Sequence, residues 1–461
     1  MKYLSELNWS ILEIFFLIII FVIGFLATYY ILPYIIKLMK LKGYVGIDIH
    51  KNSKPEIAES GGLAIIIGFT ICSFFLILFF PAFFKEIIIF LLTVLLAGLI
   101  GFIDDRKKLR SRYKIILSIF SGGIIFLANF YGYISITSPT IPFLSQIRLT
   151  IIYPFLVPVI VAVFANTVNM LEGYNGEGSG TCLIAVCFLF VCGILWNSAE
   201  AIIFTVPVIA VLIPFFIYNK YPAKIFPGDI GTLSMGVMIA CIMLFGSLEV
   251  ATFCASLIHI FNSFYYIYSV RGFFESSDIR ESKDDIILLE NDRIKASDQQ
   301  DAVLTLPRLI LAKGPLTEPE LVKNFYVISL ICGFFSILSI LLMQSTSGIF
   351  NVYLLIITLI ILLAPTILIL YKFPRIRGII LLMIILLISI LLFLLFIKAV
   401  IMPIPFPDID LNIVQIPVNL LISLILVIPI LLLWYLITIK YFWKEINKMK
   451  KLDTMHKTLT D

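Results

Sequence analysis

The chain alternates along its whole length between long apolar runs and short polar connections. A membrane-spanning helix needs about 20 apolar residues to cross roughly 30 Å of hydrocarbon, and only helices or closed barrels satisfy their backbone hydrogen bonds there. Runs of that length, in a chain that is 61% hydrophobic and 14% charged, exclude a soluble globular protein. They predict an all-α polytopic bundle of about thirteen spans, at residues 11–32, 62–80, 87–103, 115–130, 151–169, 181–196, 201–218, 230–247, 250–269, 326–343, 351–371, 378–399 and 418–440.

The basic residues predict how these spans are oriented, because connections rich in Lys and Arg stay on the cytoplasmic side. With the N-terminus outside, of the 34 Lys and Arg residues only Lys2, Lys85, Arg148 and Lys398 fall outside or at an outer helix end. An odd number of spans then places the basic C-terminal tail in the cytoplasm. Merging or splitting one span would reverse every later segment and spoil this asymmetry.

The first polar motif that could carry chemistry is DDRKKLRSRYK, between two predicted spans. Asp104 and Asp105 close one span and Lys114 opens the next. An acidic pair at a membrane surface could bind Mg²⁺ or act as a base, and a nearby lysine could hold a phosphate. The basic residues could equally be an inner loop that obeys the charge rule, but that rule does not require two adjacent aspartates.

The second motif is NTVNMLEGYNGEGSG, where one predicted span ends and another begins. Asn166 and Asn169 are three residues apart, so on a helix they share one face and could ligate Mg²⁺ or hydrogen-bond to phosphate. They could instead be asparagines that bond between packed helices. Glu172 could be a solvated charge at a helix end, and Gly173 with its neighbouring glycines could serve either a turn or a ligand.

The third motif is KIFPGDIGTLSMG, in which Asp229 follows a Pro-Gly turn and begins a helix. An aspartate there can be an N-cap. It can also be a metal carboxylate at the positive end of a helix, where phosphate is favoured as well.

All three motifs fall at the predicted cytoplasmic ends of their helices. Carboxylates, amides and one lysine, without a Ser-His or Cys-His set, fit metal-assisted phosphoryl chemistry on a diphosphate, with Mg²⁺ or Mn²⁺ as the ion. A highly charged substrate would approach from the cytoplasm, and an apolar one could arrive through the bilayer. We expect no nucleic-acid partner.

At this point the sequence resembles the polyprenyl-phosphate N-acetylhexosamine-1-phosphate transferases. It is most similar to the archaeal and eukaryotic members that transfer GlcNAc-1-phosphate from UDP-GlcNAc to dolichyl phosphate. The resemblance rests on motifs that run in family order through about the first 345 residues: GIDIHK with PEIAESGG, GFIDDRKKLRSRYK, NTVNMLEGYNG, YNKYPAKIFPGD and LPRLILAKGPLTE.

The resemblance implies that a lipid phosphate attacks the sugar-linked phosphorus of the UDP-sugar and expels UMP in the presence of Mg²⁺. Asn169 and Asp229 match the metal-binding positions, and Lys114 matches a lysine that contacts the diphosphate. Asn175 matches a residue that recognises the uracil base. Asp104 and Asp105 match an acidic pair that assists the lipid phosphate or the metal. Asp48 and Glu59 fall in the first inner loop, which helps to close the nucleotide site.

The chain departs from the family pattern in two places. EGYNG, with Glu172 and Asn175, stands where bacterial relatives have a DGxDG run, which favours the dolichyl type over an enzyme of peptidoglycan precursors. The long inner loop, residues 271–325, contains no histidine although the family carries a His- and Arg-containing sugar motif there, so Arg271 and Arg280 are the candidate sugar-reading residues.

The expected organisation is therefore a catalytic membrane core, residues 1–345, with a cytoplasmic subdomain at 271–325. Residues 346–461 add further helices and a basic tail. The expected location is the plasma membrane of a prokaryote, with the active site facing the cytoplasm and a homodimer as one possible assembly. Rival interpretations are a transporter, a non-catalytic membrane scaffold, and a family member that uses another UDP-N-acetylhexosamine.

Overall fold

A computed structural model of the protein describes residues 9–143, 145–146, 152–270, 284–299, 302–346, 352–404, 409–410, 415–416 and 418–460. Arg271 and Arg280 lie outside the described residues. The helices are α1 (Ile11–Leu41), α2 (Gly62–Phe79), α3 (Phe84–Lys107), α4 (Ser111–Phe130), α5 (Ile152–Leu171), α6 (Glu177–Trp196), α7 (Ala199–Asn219), α8 (Gly228–Gly246), α9 (Glu249–Ala255), α10 (Leu257–Val270), α11 (Leu306–Leu311), α12 (Glu318–Thr346), α13 (Val352–Lys372), α14 (Arg377–Phe396) and α15 (Val418–Thr460).

Strands are few and short, and all of the pairs they form are antiparallel. Two sets matter for the site: a two-stranded hairpin between α1 and α2, and a three-stranded sheet just before α12. The strands are β1 (Val45–Ile47), β2 (Glu56–Ala58), β3 (Thr140–Ile141), β4 (Ser145–Gln146), β5 (Ile286–Leu288), β6 (Arg293–Ala296), β7 (Leu316–Thr317), β8 (Ile409–Asp410) and β9 (Gln415–Ile416).

The helical bundle confirms the predicted fold class. Among the described residues, eleven helices are long and apolar enough to cross a membrane, or twelve if α9 and α10 together form one span. The predicted apolar segment at 351–371 coincides with α13. The protein is therefore an integral, multi-pass membrane protein.

One apolar segment, residues 250–269, does not form a straight helix. It consists of α9 and α10, which meet at an angle of 67°. Hydropathy does not reveal the bend because both halves are apolar. Beyond the bend, a polar residue joins α10 to its neighbours: the Asn262 amide donates to the Met170 carbonyl at the end of α5 (2.9 Å), and its oxygen accepts from the Leu306 N–H that begins α11 (3.0 Å).

Helix α8 lies at the centre of the bundle, and nearly every one of its residues is buried. Glycines let α2 and α3 approach its first turn closely. A Cβ on Gly62 would lie 2.2 Å from the Gly231 nitrogen, and a Cβ on Gly101 would lie 2.5 Å from the Asp229 carbonyl oxygen. Because these neighbours are backbone atoms, a side chain at either position would force the helices apart. The glycines therefore fix where Asp229 stands relative to the end of α3.

Replacing Gly101 with alanine should lower the free energy of unfolding by about 1–3 kcal/mol, since overpacking a tight helix contact costs about that much. Gly123 on α4 is the matched control, because a Cβ there meets nothing within 4 Å. Gly123→Ala should be neutral or slightly stabilising, as alanine is the better helix former. Thermal unfolding of both variants in detergent tests this, and equal midpoints would contradict the close contact.

Candidate functional site

The ends of four helices meet around the ammonium group of Lys114, at the start of α4. Its Nζ lies 2.5 Å from Oδ2 of Asp104, at the end of α3, and 3.2 Å from Oδ2 of Asp229, in the first turn of α8. The Asn169 amide, near the end of α5, donates to the other Asp229 oxygen at 2.7 Å. The structure thus brings together four residues that the sequence singled out in three separate motifs. We call them the Lys114 cluster.

Asp105 supports this cluster from the side. Its Oδ1 accepts the backbone N–H of Asp229 (2.7 Å), and its Oδ2 accepts the hydroxyl of Ser60 (2.9 Å). Asp105 therefore does for the start of α8 what an N-cap would do, since an exposed helix N–H is satisfied by a carboxylate. Asp229 is consequently not the cap of its own helix, and its side chain is directed to Lys114 and Asn169 instead.

The balance of charge around the Lys114 cluster suits a divalent cation. Asp104, Asp105 and Asp229 bring three carboxylates, and Lys114 provides the one cation in ion-pair contact with them among the described residues. The excess negative charge also affects Glu59. Burial first, and then the charge of Asp229, raise the pKa of Glu59 above its usual value. The positive charges of Arg106 and Lys108 oppose this shift.

The donor atoms fit Mg²⁺ in particular. Carboxylate and amide oxygens are the protein ligands that this ion prefers, and it is usually held by only one or two carboxylates together with substrate phosphates. Asp229 offers a carboxylate whose side chain is 26% exposed. Asn169 offers an amide oxygen, because rotation of its carboxamide exchanges the nitrogen that now faces Asp229 for oxygen. These two residues would hold the ion.

A second polar cluster surrounds Asn175, in the turn between α5 and α6. The buried carboxamide of Asn175 accepts the N–H of Ala223 (2.7 Å) and donates to Oδ2 of Asp48 (3.0 Å) and to Oε1 of Glu318. Its backbone N–H also donates to Oε1 of Glu318 (2.7 Å). Both N–H groups of the Asn175 side chain are therefore in use, and donating to a uracil base would require it to release Asp48 or Glu318. Its role in recognising uracil stays a prediction.

Asp48, His50 and Glu318 could in principle hold a metal, because one possible ligand atom from each lies within 4.8 Å of the others. However, the Lys51 ammonium lies 2.5 Å from Asp48 and 4.0 Å from Glu318, so a lysine already neutralises these carboxylates. Burial alone would raise the pKa of Asp48, but hydrogen bonds from Lys51 and Asn175 outweigh it and lower the pKa. We therefore interpret the trio as part of a hydrogen-bonded network.

Glu172 stabilises the turn that carries Asn175. Its carboxylate accepts the N–H of Gly178 in the first turn of α6 (2.7 Å), while the Glu177 carboxylate reaches back to the N–H groups of Gly173 (3.0 Å) and Tyr174 (3.1 Å). The two glutamates thus cap the turn from both sides. Glu172 is not the solvated helix-end charge that the sequence allowed, because its side chain is partly buried and bonded to the Gly178 N–H, and burial raises its pKa to about 8.

This raised pKa makes stability depend on pH with a definite sign. In the unfolded chain a glutamate ionises near 4.3, so at about pH 6–7 the folded protein holds a proton there that the unfolded chain has lost. The stabilisation is complete below the unfolded pKa and is lost as pH rises through about 8. We expect the unfolding temperature of the wild type to fall between pH 6 and pH 8.5, and this fall to be smaller in Glu172→Gln. The exposed Glu290→Gln should keep the wild-type profile, and identical profiles for all three proteins would contradict the assignment.

Two other predicted residues do not join the clusters in the same way. The Asn166 amide donates to the Ala162 carbonyl one turn earlier on its own helix (2.7 Å) and not to the Lys114 cluster. Gly173 is exposed and contributes its N–H to the turn. Conversely, the sequence analysis did not single out Ser60 and Glu318. Glu318 could have been found, because it is the last residue of the family motif LPRLILAKGPLTE.

Comparisons with known proteins place this integral membrane protein among the phosphosugar transferases. Residues 87–247 match the profile of glycosyl transferase family 4. A Sulfolobus acidocaldarius protein, provisionally named UDP-N-acetylglucosamine–dolichyl-phosphate N-acetylglucosaminephosphotransferase, is 33% identical over 239 residues, 50% of this chain and 72% of the relative. The chain belongs to glycosyl transferase family 4.

Two further relatives show how broad that family is. A Methanocaldococcus jannaschii protein, provisionally named a glycosyltransferase, is 29% identical over 69% of this chain and 94% of its own length. The phospho-N-acetylmuramoyl-pentapeptide-transferase of Streptococcus mutans is 28% identical over 48% of this chain and 70% of its own length. The family therefore includes members whose names describe different sugars.

Proposed function

We propose that the protein transfers N-acetylglucosamine-1-phosphate from UDP-N-acetylglucosamine to a polyprenyl phosphate of the dolichyl type and releases UMP. The product would be the first lipid-linked intermediate of a glycan assembly pathway, for protein N-glycosylation or related surface glycans. The observation that carries the proposal is the Lys114 cluster: a lysine held between two aspartates, with an asparagine on one of them, at one end of a membrane bundle.

In the reaction, an oxygen of the lipid phosphate forms a bond to the sugar-linked phosphorus, and the bond from that phosphorus to the bridging oxygen breaks. The electron pair leaves with UMP, so the GlcNAc-bearing lipid diphosphate and UMP account for all atoms. When bound, Mg²⁺ supplies charge neutralisation on the diphosphate. Lys114 adds a positive charge at the same place, and such fixed groups stabilise the charge that develops in the transition state.

The two aspartates at the end of α3 have different surroundings, which suggests different roles. Asp105 is committed to the start of α8 and to Ser60, so it holds Asp229 in position. Asp104 contacts Lys114 and accepts the N–H of Leu109 (2.7 Å). Asp104 is therefore the better candidate for orienting the lipid phosphate or accepting its proton.

We further propose that the site faces the cytoplasm, where a nucleotide sugar is available, and that the membrane is a prokaryotic plasma membrane. The distribution of Lys and Arg supports the orientation. A homodimer is compatible with the account but is not needed by it, because the Lys114 cluster forms within one chain.

A second candidate substrate is another UDP-N-acetylhexosamine, because one relative is named for the muramoyl-pentapeptide reaction. The Asn175 turn favours the first candidate, since Glu172 and Asn175 replace the aspartates of the bacterial pattern. The test is to supply the purified protein with polyprenyl phosphate, Mg²⁺ and one UDP-sugar at a time, and to identify the lipid product by mass spectrometry. A lipid carrying HexNAc-diphosphate from UDP-GlcNAc supports the proposal, and a product only from UDP-MurNAc-pentapeptide would replace it with the second candidate.

A further inference from the structure

Glu318 accepts two of the hydrogen bonds that hold Asn175, although the proposed chemistry does not use it. It is the first residue of α12, directly after β7, and only 2% of it is exposed. Its Oε1 accepts both the backbone and the side-chain N–H of Asn175, which lies 143 positions earlier in the chain. One carboxylate oxygen thus fixes both the backbone position and the side-chain orientation of Asn175.

The same carboxylate also acts on the connection between α1 and α2, residues 42–61, which we call loop 1. Lys51 of loop 1 lies 4.0 Å from Oε2 of Glu318, and Asp48 of loop 1 accepts from the Asn175 amide that Glu318 orients. The His50 ring stacks on Tyr174, with ring centroids 4.3 Å apart. Loop 1 and the Asn175 turn are therefore joined through a network that has Glu318 at one end.

An outer contact extends this link to the sheet that precedes α12. The Asn52 side chain of loop 1 donates to Oδ1 of Asp292 (2.7 Å) and to the carbonyls of Leu289 and Glu290 (both 3.0 Å), in the turn between β5 and β6. β5 and β6 belong to one sheet with β7, and Glu318 directly follows β7. Loop 1 therefore contacts the same sheet that positions Glu318. Displacing Glu318 would loosen both the Asn175 turn and loop 1.

We propose that Glu318 is a positioning residue for the nucleotide part of the substrate. It presents the Asn175 turn and loop 1 in one fixed arrangement, and it acts through Asn175 without contacting the reacting atoms. This rests on the proposed function, because it takes the Asn175 turn to be the nucleotide-binding segment. Groups fixed by neighbours lose less conformational freedom on binding, so fixing them strengthens affinity. Glu318 therefore affects nucleotide affinity, and the Lys114 cluster governs the chemical step.

The test compares Glu318→Ala and Glu318→Gln with Glu320→Gln as the matched control. Glu320 lies in the same first turn of α12, but it is exposed and its carboxylate accepts the nearby Thr317 N–H at 2.9 Å. Glu318→Ala should raise KM for UDP-GlcNAc by about 10- to 100-fold, as expected when hydrogen bonds to a charged group are lost. The turnover number and KM for polyprenyl phosphate should change less than threefold. Glu318→Gln keeps an acceptor oxygen and should lie between wild type and alanine, while Glu320→Gln should match wild type.

A double-mutant cycle with Asn175→Ala separates positioning from general destabilisation. If Glu318 acts through Asn175, Glu318→Ala should add little to the KM of Asn175→Ala, because coupled residues are not additive. Additive effects, an unchanged KM in Glu318→Ala, or a fall in kcat with KM unchanged in Glu318→Gln would each overturn the proposal.

Calorimetric titration of UDP in the absence of lipid provides a readout that does not need turnover. The wild type should bind UDP, and Glu318→Ala should bind it about 10- to 100-fold more weakly. A wild type that neither binds UDP nor transfers any phosphosugar would defeat the proposed function. A wild type that is active, with UDP affinity unchanged in Glu318→Ala, would defeat the positioning role alone.

Discussion

Asp229→Asn should reduce the turnover number by about 10³-fold, because removing one preorganised charged group from such a site costs about 10²- to 10³-fold and Asp229 would, as proposed, also hold the cation. Asparagine has nearly the same shape, so the contact of α8 with α2 and α3 should survive. The assay is transfer of radiolabelled GlcNAc-1-phosphate into lipid at saturating substrates. KM for UDP-GlcNAc should change much less than the turnover number.

Asp298→Asn is the control for this substitution. Asp298 is an exposed aspartate of the same chemistry and lies away from the Lys114 cluster in sequence. Its turnover number should equal that of wild type. If the turnover number of Asp229→Asn lies within threefold of the wild-type value, the carboxylate of Asp229 does not take part in the reaction.

Lys114→Met should have the second largest effect, on both stability and activity. The Asp104 carboxylate is only 2% exposed and has Lys114 at 2.5 Å. Removing the lysine leaves that charge buried without compensation, which costs about 3–5 kcal/mol for a buried pair. Activity should fall by more than about 100-fold, because the positive charge that we propose Lys114 provides to the diphosphate is lost as well. Chemical denaturation in EDTA and the transfer assay measure the two effects separately.

The double variant Lys114→Met with Asp104→Asn separates these two roles. Replacing both partners removes the uncompensated charge, so the free energy of unfolding should recover towards wild type. Activity should not recover, since neither charge returns. Full stability in the single variant, or renewed activity in the double variant, would contradict the arrangement around Lys114.

The positions of the predicted apolar segments agree with the helices, because crossing a bilayer imposes a length and a composition that a sequence displays directly. Of the about thirteen predicted spans, eleven or twelve are long and apolar enough among the described residues. All thirteen apolar segments fall on helices. The bend between α9 and α10 could not be predicted, since both halves are apolar and the contacts of Asn262 that hold α10 reach residues 92 and 44 positions away. Polar contacts of that range leave no periodic pattern in the sequence.

Some residues of the candidate site could also be predicted from the sequence alone. Lys114, Asp104, Asn169 and Asp229 stand out because charged and amide groups at the ends of apolar runs are conspicuous. Their individual partners were not predictable: Asp105 caps a helix 124 positions later, and Glu172 caps α6 where the sequence allowed a solvated charge. Glu318 was missed because an acidic residue at the first position of a helix ordinarily needs no other explanation.

The most direct test of the whole account is to measure which nucleotide is released. Purified protein is given UDP-GlcNAc, polyprenyl phosphate and Mg²⁺, and UMP, UDP and the lipid product are quantified over time by chromatography. Transfer of the phosphosugar predicts UMP and lipid product in equal amounts, with no UDP. Release of UDP would mean that the sugar alone is transferred, and the absence of any lipid product would contradict the proposed reaction.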